Sequence, residues 1–245
     1  MSYGLNVLND AGNIAFTTNY PCFSFVGKYV VTRTLSAGDF PAALTGNYCS
    51  LDVTSVNCPL VFVAPNNAND SVKVISAKNN GNGTWTIRFT GLSIQSGNID
   101  SPSNLTTLTA YVFSSDNIPA TGYGINVYSS SSSVNFSTAR KALKISGKII
   151  SPNYNQAFVQ YYDSALSYGS IPTSWAASSQ SVGYRLQGLS PISGSGIVIS
   201  LGVSALTSST VRYKSSCAIG SFNFVTAINL PGGAYTMFID TSLYN

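Results

Sequence analysis

This chain of 245 residues contains no histidine and no glutamate, and only 8% of its side chains are charged. Each shortage removes a class of chemistry. Without histidine, the usual base for a serine or cysteine nucleophile and the commonest transition-metal ligand are both missing. Without glutamate, acid–base cleavage of a glycoside would need two aspartates converging on one cleft. All eight acids are aspartate, and several stand where a turn uses a side chain that bonds its own backbone: Asp10 near Gly12, Asp39 after Gly38, Asp70 after Asn69 and Asp116 before Asn117. Asp163 and Asp240 are the only acids of the second half, and no spacing pairs them. Helices are disfavoured as well, because their exposed faces are normally dressed with Glu, Lys, Arg and Gln. The most apolar window, residues 196–206, is about half as long as a membrane span and is interrupted by Ser200 and Ser204. Met1-Ser2-Tyr3-Gly4 opens without a basic or apolar leader, which predicts no secretory signal peptide and synthesis in a cytoplasm. Cys22, Cys49, Cys58 and Cys217 follow no metal-ligand spacing. They read as buried reduced thiols, with a Cys49–Cys58 disulfide across a hairpin as the alternative. Gly81-Asn82-Gly83 lacks the strand-to-helix context of a phosphate loop and reads as a turn. The expectation is a protein that is not an enzyme, with no cofactor and no metal site.

β-forming sequence is plentiful. Fifteen Tyr and twelve Phe accompany abundant Val, Ile and Thr. Part of it is also written twice. Tyr3-Gly4-Leu5-Asn6-Val7 returns as Tyr123-Gly124-Ile125-Asn126-Val127, an offset of 120 residues (Tyr3 to Tyr123). At the same offset Phe16 meets Phe136, Thr18 meets Thr138, and Gly27-Lys28-Tyr29-Val30 meets Gly147-Lys148-Ile149-Ile150. Near the other end, Ala234-Tyr235-Thr236-Met237 parallels Ala110-Tyr111-Val112-Phe113 at an offset of 124 (Ala110 to Ala234). A repeat of half the chain points to two copies of one domain, since solenoid units span only about 20–50 residues.

Alternation places the strands. Leu5 and Val7, then Ile14 and Phe16, flank Asn9-Asp10-Ala11-Gly12, which predicts a hairpin. Its second copy replaces the turn by the serine run 129–133. A third strand follows in each copy, at 23–34 and 143–151. Leu60-Val61-Phe62-Val63 is a short, wholly apolar run suited to a core strand. Residues 71–77 and 84–89 form a hairpin through Asn79-Asn80-Gly81-Asn82-Gly83, and 105–113 closes the half. Residues 152–181 read as long loops, and strands resume at 183–186, 196–203, 211–213, 222–228 and 234–239. The fold class expected is all-β: two tandem, duplicated β-sandwich domains, 1–118 and 119–245, with the linker at 116–122 and a diverged middle in the second.

Residues 1–120 carry five basic side chains against six aspartates, and residues 121–245 carry seven against two, so the halves are net −1 and +5. This is a mildly basic second domain without the dense Lys/Arg stripes of a nucleic-acid protein, and no nucleic-acid partner is expected. Trp85 alternates with Ile87 and Phe89 and reads as core. Trp175 falls in a loop-like segment near Tyr154, Tyr161, Tyr162 and Tyr168, so these five form the candidate surface for a ligand or a partner. A surface so poor in charge also predicts contact with copies of itself or with neighbours.

The opening, Ser2-Tyr3-Gly4-Leu5-Asn6-Val7-Leu8-Asn9-Asp10-Ala11-Gly12, resembles the start of small β-rich proteins encoded near tail-fibre genes in tailed bacteriophages and prophages, which begin with a YGLxVxNxxG hairpin. The first half continues in similar style through Pro59–Val63, Gly83–Ile87 and Ala110–Phe113, and in the second half only the opening hairpin resembles them. The resemblance implies a virion structural protein of the tail tip, baseplate or fibre region. It would act by symmetric oligomeric assembly with itself and with other virion proteins of tail or capsid, without membrane insertion. It carries over no activity and no site residues. The alternatives are a carbohydrate- or receptor-binding module, with a host surface glycan as partner, and a capsid decoration protein.

Overall fold

The computed structural model describes residues 6–8, 14–17, 22–32, 48–54, 58–66, 70–93, 107–115, 124–128, 134–150, 163–167, 174–178, 184–188, 195–207, 210–221, 228–229 and 235–245. The turns expected at 9–12 and 129–133 and the linker at 116–122 lie outside them. In chain order the first-half strands are β1 (Asn6–Leu8), β2 (Ile14–Thr17), β3 (Ser24–Thr32), β4 (Tyr48–Thr54), β5 (Leu60–Pro65), β6 (Asp70–Asn79), β7 (Thr84–Ser93) and β8 (Thr107–Ser114). Those of the second half are β9 (Asn126–Tyr128), β10 (Val134–Ser137), β11 (Gly147–Ile150), β12 (Asp163–Ser167), β13 (Trp175–Ala177), β14 (Tyr184–Gly188), β15 (Ser195–Thr207), β16 (Thr210–Ser221), β17 (Ile228–Asn229) and β18 (Tyr235–Asp240). A 3₁₀ turn, Thr241–Tyr244, follows β18. Every ladder is antiparallel, and this turn is the only helical element among the described residues. The protein is all-β. Two strands, β12 and β13, lie where long loops were expected, and β4 occupies a stretch with no predicted element.

Two large sheets make up the body. One runs β11-β18-β13-β5-β8-β3; the other runs β12-β16-β15-β6-β7-β4, with β14 beside β15 and β17 beside β14. Both draw strands from either side of the division expected at 118/119. β5 meets β13 at Val63 and Ala177, and β6 meets β15 at Val72 and Val203. Reading outward from those seams, β5-β8-β3 is mirrored by β13-β18-β11, and β6-β7-β4 by β15-β16-β12.

The registers repeat with the order. Asn6, Val7 and Leu8 pair Thr17, Phe16 and Ile14, while Asn126, Val127 and Tyr128 pair Ser137, Phe136 and Val134, with the same bulge in each hairpin. A bulge after Val74, where β6 faces Phe89, recurs after Ala205, where β15 faces Val211. Val72 and Val203 each stand two residues before that bulge, and they pair with one another. Equivalent positions paired antiparallel are what a two-fold axis through the seam produces. The Leu143 N–H donates to the Phe23 carbonyl (2.8 Å), again joining two positions that correspond at an offset of 120. The closing strand differs from expectation. Gly27 pairs Val112 and Gly147 pairs Phe238, so β8 and β18 correspond at an offset of 126 (Val112 to Phe238) rather than 124.

Among the residues whose side chains are described, the core between the sheets is formed by inward-facing residues of the first half. Val31, Val61, Val63, Leu108, Ala110 and Val112 of β3, β5 and β8 pack on Val53, Val72, Val74, Ile87 and Phe89 of β4, β6 and β7, with Trp85 half-buried against them. Each fully buried Val, Leu, Ile or Phe side chain here contributes about 1.5–3 kcal/mol. In β4 the alternation of Leu51 and Val53 inward with Ser50, Asp52 and Thr54 outward is a short period-2 signal. β5 and β8 are apolar on both faces, as the unbroken run Leu60–Val63 predicts. On the opposite face Phe62, Tyr111, Phe113, Ala176, Ile239 and Tyr244 form a second cluster. Ser24 at the start of edge strand β3 pairs Ala142, which leads into the other edge strand, β11, and the Phe25 N–H donates to the Lys141 carbonyl at 2.8 Å. The two edges of the six-stranded sheet therefore meet at that end, and the sheet curls around the second cluster.

Candidate interaction surface

The last turn seals the second cluster. Asp240 caps it: its Oδ1 accepts from the Ser242 N–H (3.0 Å) and the Ser242 hydroxyl (2.6 Å). Those two bonds hold the carboxyl below the usual aspartate range, and Lys144 adds to the effect. Tyr244 is 2% exposed, with ring centroids 5.2 Å from Phe25 and 4.9 Å from Phe113, the latter nearly perpendicular. Its hydroxyl donates to the Ala142 carbonyl (3.0 Å) and accepts from the Lys144 N–H (2.8 Å). Burial raises this phenol above its ordinary range. Lys28 Nζ donates to Asn245 Oδ1 and Lys141 Nζ to the Asn245 main-chain oxygen, both at 2.8 Å. Lys28 also lies over the Tyr111 ring, 5.8 Å from its centroid.

Around this turn the surface changes character. Among the described residues the exposed large hydrophobics are Val30, Ile125, Tyr128, Ile145 and Leu243. All but Val30 belong to hairpin β9–β10, to the connection from β10 to β11, or to the last turn. Exposed Lys141, Lys144 and Lys148 stand along the same connection and the start of β11. The hairpin is fixed by Thr138, whose N–H donates to the Ile125 carbonyl (3.0 Å) and whose hydroxyl accepts from the Ile125 N–H (2.8 Å). A Cβ on Gly124 would collide with that hydroxyl. The Cys22 N–H, donating to the Asn135 carbonyl (2.9 Å), ties the hairpin to the entry of β3. Burial lowers the pKa of the nearby Arg140 guanidinium. Lysines and large apolar side chains are thus both exposed along this stretch of the chain and the last turn.

Trp175 opens strand β13 rather than a loop. It is half-buried, and its ring meets Phe238 at 6.1 Å in an edge-on arrangement. Tyr154, Tyr161, Tyr162 and Tyr168 lie outside the described residues. Ile125, Tyr128, Ile145 and Leu243 were not singled out by sequence, because Ile125 and Val127 alternate like any strand with a buried face. Cys58 precedes β5 in one sheet, whereas Cys49 lies in β4 of the other, so no hairpin joins them. The Cys58 thiol is free and exposed; Cys22 is half-buried, and its pKa is raised by burial. Cys58 also holds a left-handed φ of 48°. Among the described residues no group of His, Cys and Asp could hold a metal ion, and no helix is long and apolar enough to cross a membrane. No family model, no curated protein and no solved structure matches the chain at a significant level.

Proposed function

We propose that the chain is a structural component of a bacteriophage virion, placed at the tail tip, baseplate or fibre region, that works by being built into a larger assembly with copies of itself and with other virion proteins. The observation that carries the assembly part is the exposure of Ile125, Tyr128, Ile145 and Leu243 in a chain of which only 8% is charged. Apolar side chains left in water gain about 25 cal/mol per Å² when a partner covers them. The virion assignment rests on the YGLxVxNxxG-like opening and the all-β architecture. On this reading the halves are duplicated sandwiches fused edge to edge through both sheets, an intramolecular counterpart of a two-fold dimer. Light scattering and native mass spectrometry over a wide concentration range test assembly; a stable monomer throughout would refute it. Immunogold labelling of purified particles tests the location.

A second reading, glycan binding, is favoured by one feature. Asn66 Nδ2 donates to Thr107 Oγ1 (2.8 Å) and Thr109 Oγ1 donates to Asn66 Oδ1 (3.1 Å), an exposed amide–hydroxyl ladder beside Val30, which is 66% exposed. Binding on a broad glycan array that Asn66→Ala abolishes would favour it over assembly alone.

A further inference from the structure

We propose that Asn82 is a self-modifying site: in the folded protein its side-chain amide is lost as ammonia through attack by the Gly83 nitrogen, while Asn80, which also precedes a glycine, is held back. The β6–β7 turn, Asn79-Asn80-Gly81-Asn82-Gly83, offers three asparagines to this chemistry, and its two Asn-Gly steps look alike in sequence. Hydrogen bonding separates them.

The reaction needs a main-chain nitrogen free to give up its proton. A following glycine leaves that nitrogen unshielded, and nothing lies within 4 Å of where a Cβ would stand at Gly81 or Gly83. For Asn79 the attacking nitrogen belongs to Asn80, whose N–H donates to the Thr84 carbonyl (2.9 Å). For Asn80 it belongs to Gly81, whose N–H donates to Asn79 Oδ1 (2.8 Å). For Asn82 it belongs to Gly83, and among the described residues that N–H has no partner.

The reaction also needs the side-chain carbonyl carbon within reach. The Asn80 amide is anchored across the hairpin: Nδ2 donates to Thr86 Oγ1 (3.0 Å), which in turn donates to Asp52 Oδ1 (2.6 Å). Asn82 Oδ1 instead accepts from the Thr84 N–H (3.1 Å), which folds this side chain over the Gly83 peptide. The same bond draws electrons from Cγ and stabilises the charge its oxygen gains as the nitrogen adds. Residues 79–83 are all exposed, so water reaches them.

The Gly83 nitrogen bonds to Asn82 Cγ, the Cγ–Nδ2 bond breaks, and ammonia leaves with the proton that nitrogen gave up. Water then opens the cyclic imide at either carbonyl. Cleavage at Cγ gives aspartate; cleavage at the main-chain carbonyl gives isoaspartate. One water is consumed, one ammonia released, and nothing is oxidised. The product carboxylate lowers the formal net charge of +4 by one. As aspartate it keeps the Thr84 N–H as a charge-assisted bond; as isoaspartate it puts an extra methylene into the main chain of the turn.

The test holds the full chain, folded, in mildly alkaline buffer made with oxygen-18 water, and a second sample in urea. Trypsin releases residues 79–88 as one peptide, after Lys78 and Arg88, and fragmentation in the mass spectrometer locates the change. In the folded protein Asn82 should react about tenfold faster than Asn80, the factor set by the hydrogen bond that the Gly81 N–H must first give up. Its products should be aspartate and isoaspartate carrying the heavy oxygen. In urea the two sites should react at similar rates. Asn79→Ala frees the Gly81 N–H and should speed reaction at Asn80 several-fold without altering Asn82, whereas Asn79→Asp keeps an acceptor and should leave Asn80 slow. Melting curves confirm that each variant is folded during the incubation. Asn80 keeping pace with Asn82 in the folded protein, no labelled product at Asn82, or an Asn80 rate indifferent to Asn79→Ala would overturn the proposal.

Discussion

Tyr244 offers the sharpest test of how this molecule is held together. Its ring is 2% exposed and lies on Phe25 and Phe113, which belong to β3 and β8 of the first half, while its hydroxyl is bonded to residues 142 and 144 of the second. Tyr244→Phe keeps the ring and strands the Ala142 carbonyl and the Lys144 N–H. Losing one partner of a partly buried hydrogen bond costs about 1–2 kcal/mol. Tyr244→Ala removes the ring as well and opens a void over two phenylalanines, which costs about 3–5 kcal/mol. For a chain of this size each kcal/mol lowers the melting temperature by about 2–4 °C, so the two variants should melt about 2–8 °C and about 6–20 °C below the parent. Leu243→Ala is the control: its side chain is 43% exposed, and its change should stay within about 0.5 kcal/mol. Calorimetry or circular dichroism measures all three. If Tyr244→Ala melts with the parent, the turn is an appendage and the account of the second cluster is wrong.

Gly124→Ala should destabilise by about 1–3 kcal/mol, because its Cβ would drive into the Thr138 hydroxyl that receives the Ile125 N–H; chemical denaturation reads the loss. Gly27→Ala should cost stability because the Tyr29 ring fills that space, whereas Gly147→Ala should be tolerated, as nothing lies within 4 Å of its Cβ. In the folded protein an alkylating reagent should label Cys58 well before Cys22, which is half-buried with its pKa raised; equal rates resolved by mass spectrometry would contradict the exposure assigned to them. Burial raises the phenols of Tyr29 and Tyr244 above the ordinary value of 10.0, so near that pH the folded state binds more protons than the unfolded chain. Stability from these groups is complete below pH 10 and falls as pH rises through their folded pKa values, and Tyr244→Phe should remove part of that alkaline loss in melting curves. Asp240 acts at the other end: its lowered pKa gives stability that is present above its ordinary 3.8 and is lost as pH falls below it.

Much of the local structure was legible in the sequence, and the reasons are physical. Hairpins β1–β2 and β9–β10 follow from alternation around a short break, and their matched registers follow from the ungapped offset of 120. The Asn/Gly turn after β6 was readable because Gly81 and Gly83 take positive φ (85° and 75°), while Asn79 and Asn82 accept backbone N–H groups two residues on. The repeated Gly and Thr, at 124 and 138 in the second copy, turn out to be a contact pair. What escaped was non-local. Nothing in a strand's own residues says which strand from the other half will lie beside it, so the seams at Val63–Ala177 and Val72–Val203 could not be read. The register of β18 shifted by two residues from the identity-based match, a slip that preserves which face each side chain occupies and so leaves no trace in hydrophobic pattern. Trp175 looked like a loop aromatic because its strand is only three residues long. Of the candidate surface, only the concentration of basic residues in the second half was visible beforehand.

The seams have a mechanical consequence. A chain of two beads on a string yields first at its linker, and each bead swings freely. Here a paired position joins one half to the other in each large sheet, Ala177 with Val63 and Val203 with Val72, so bending one half against the other would strain two layers at once. A load applied to one edge of either sheet is therefore carried past the seam by main-chain pairing as well as by the covalent chain.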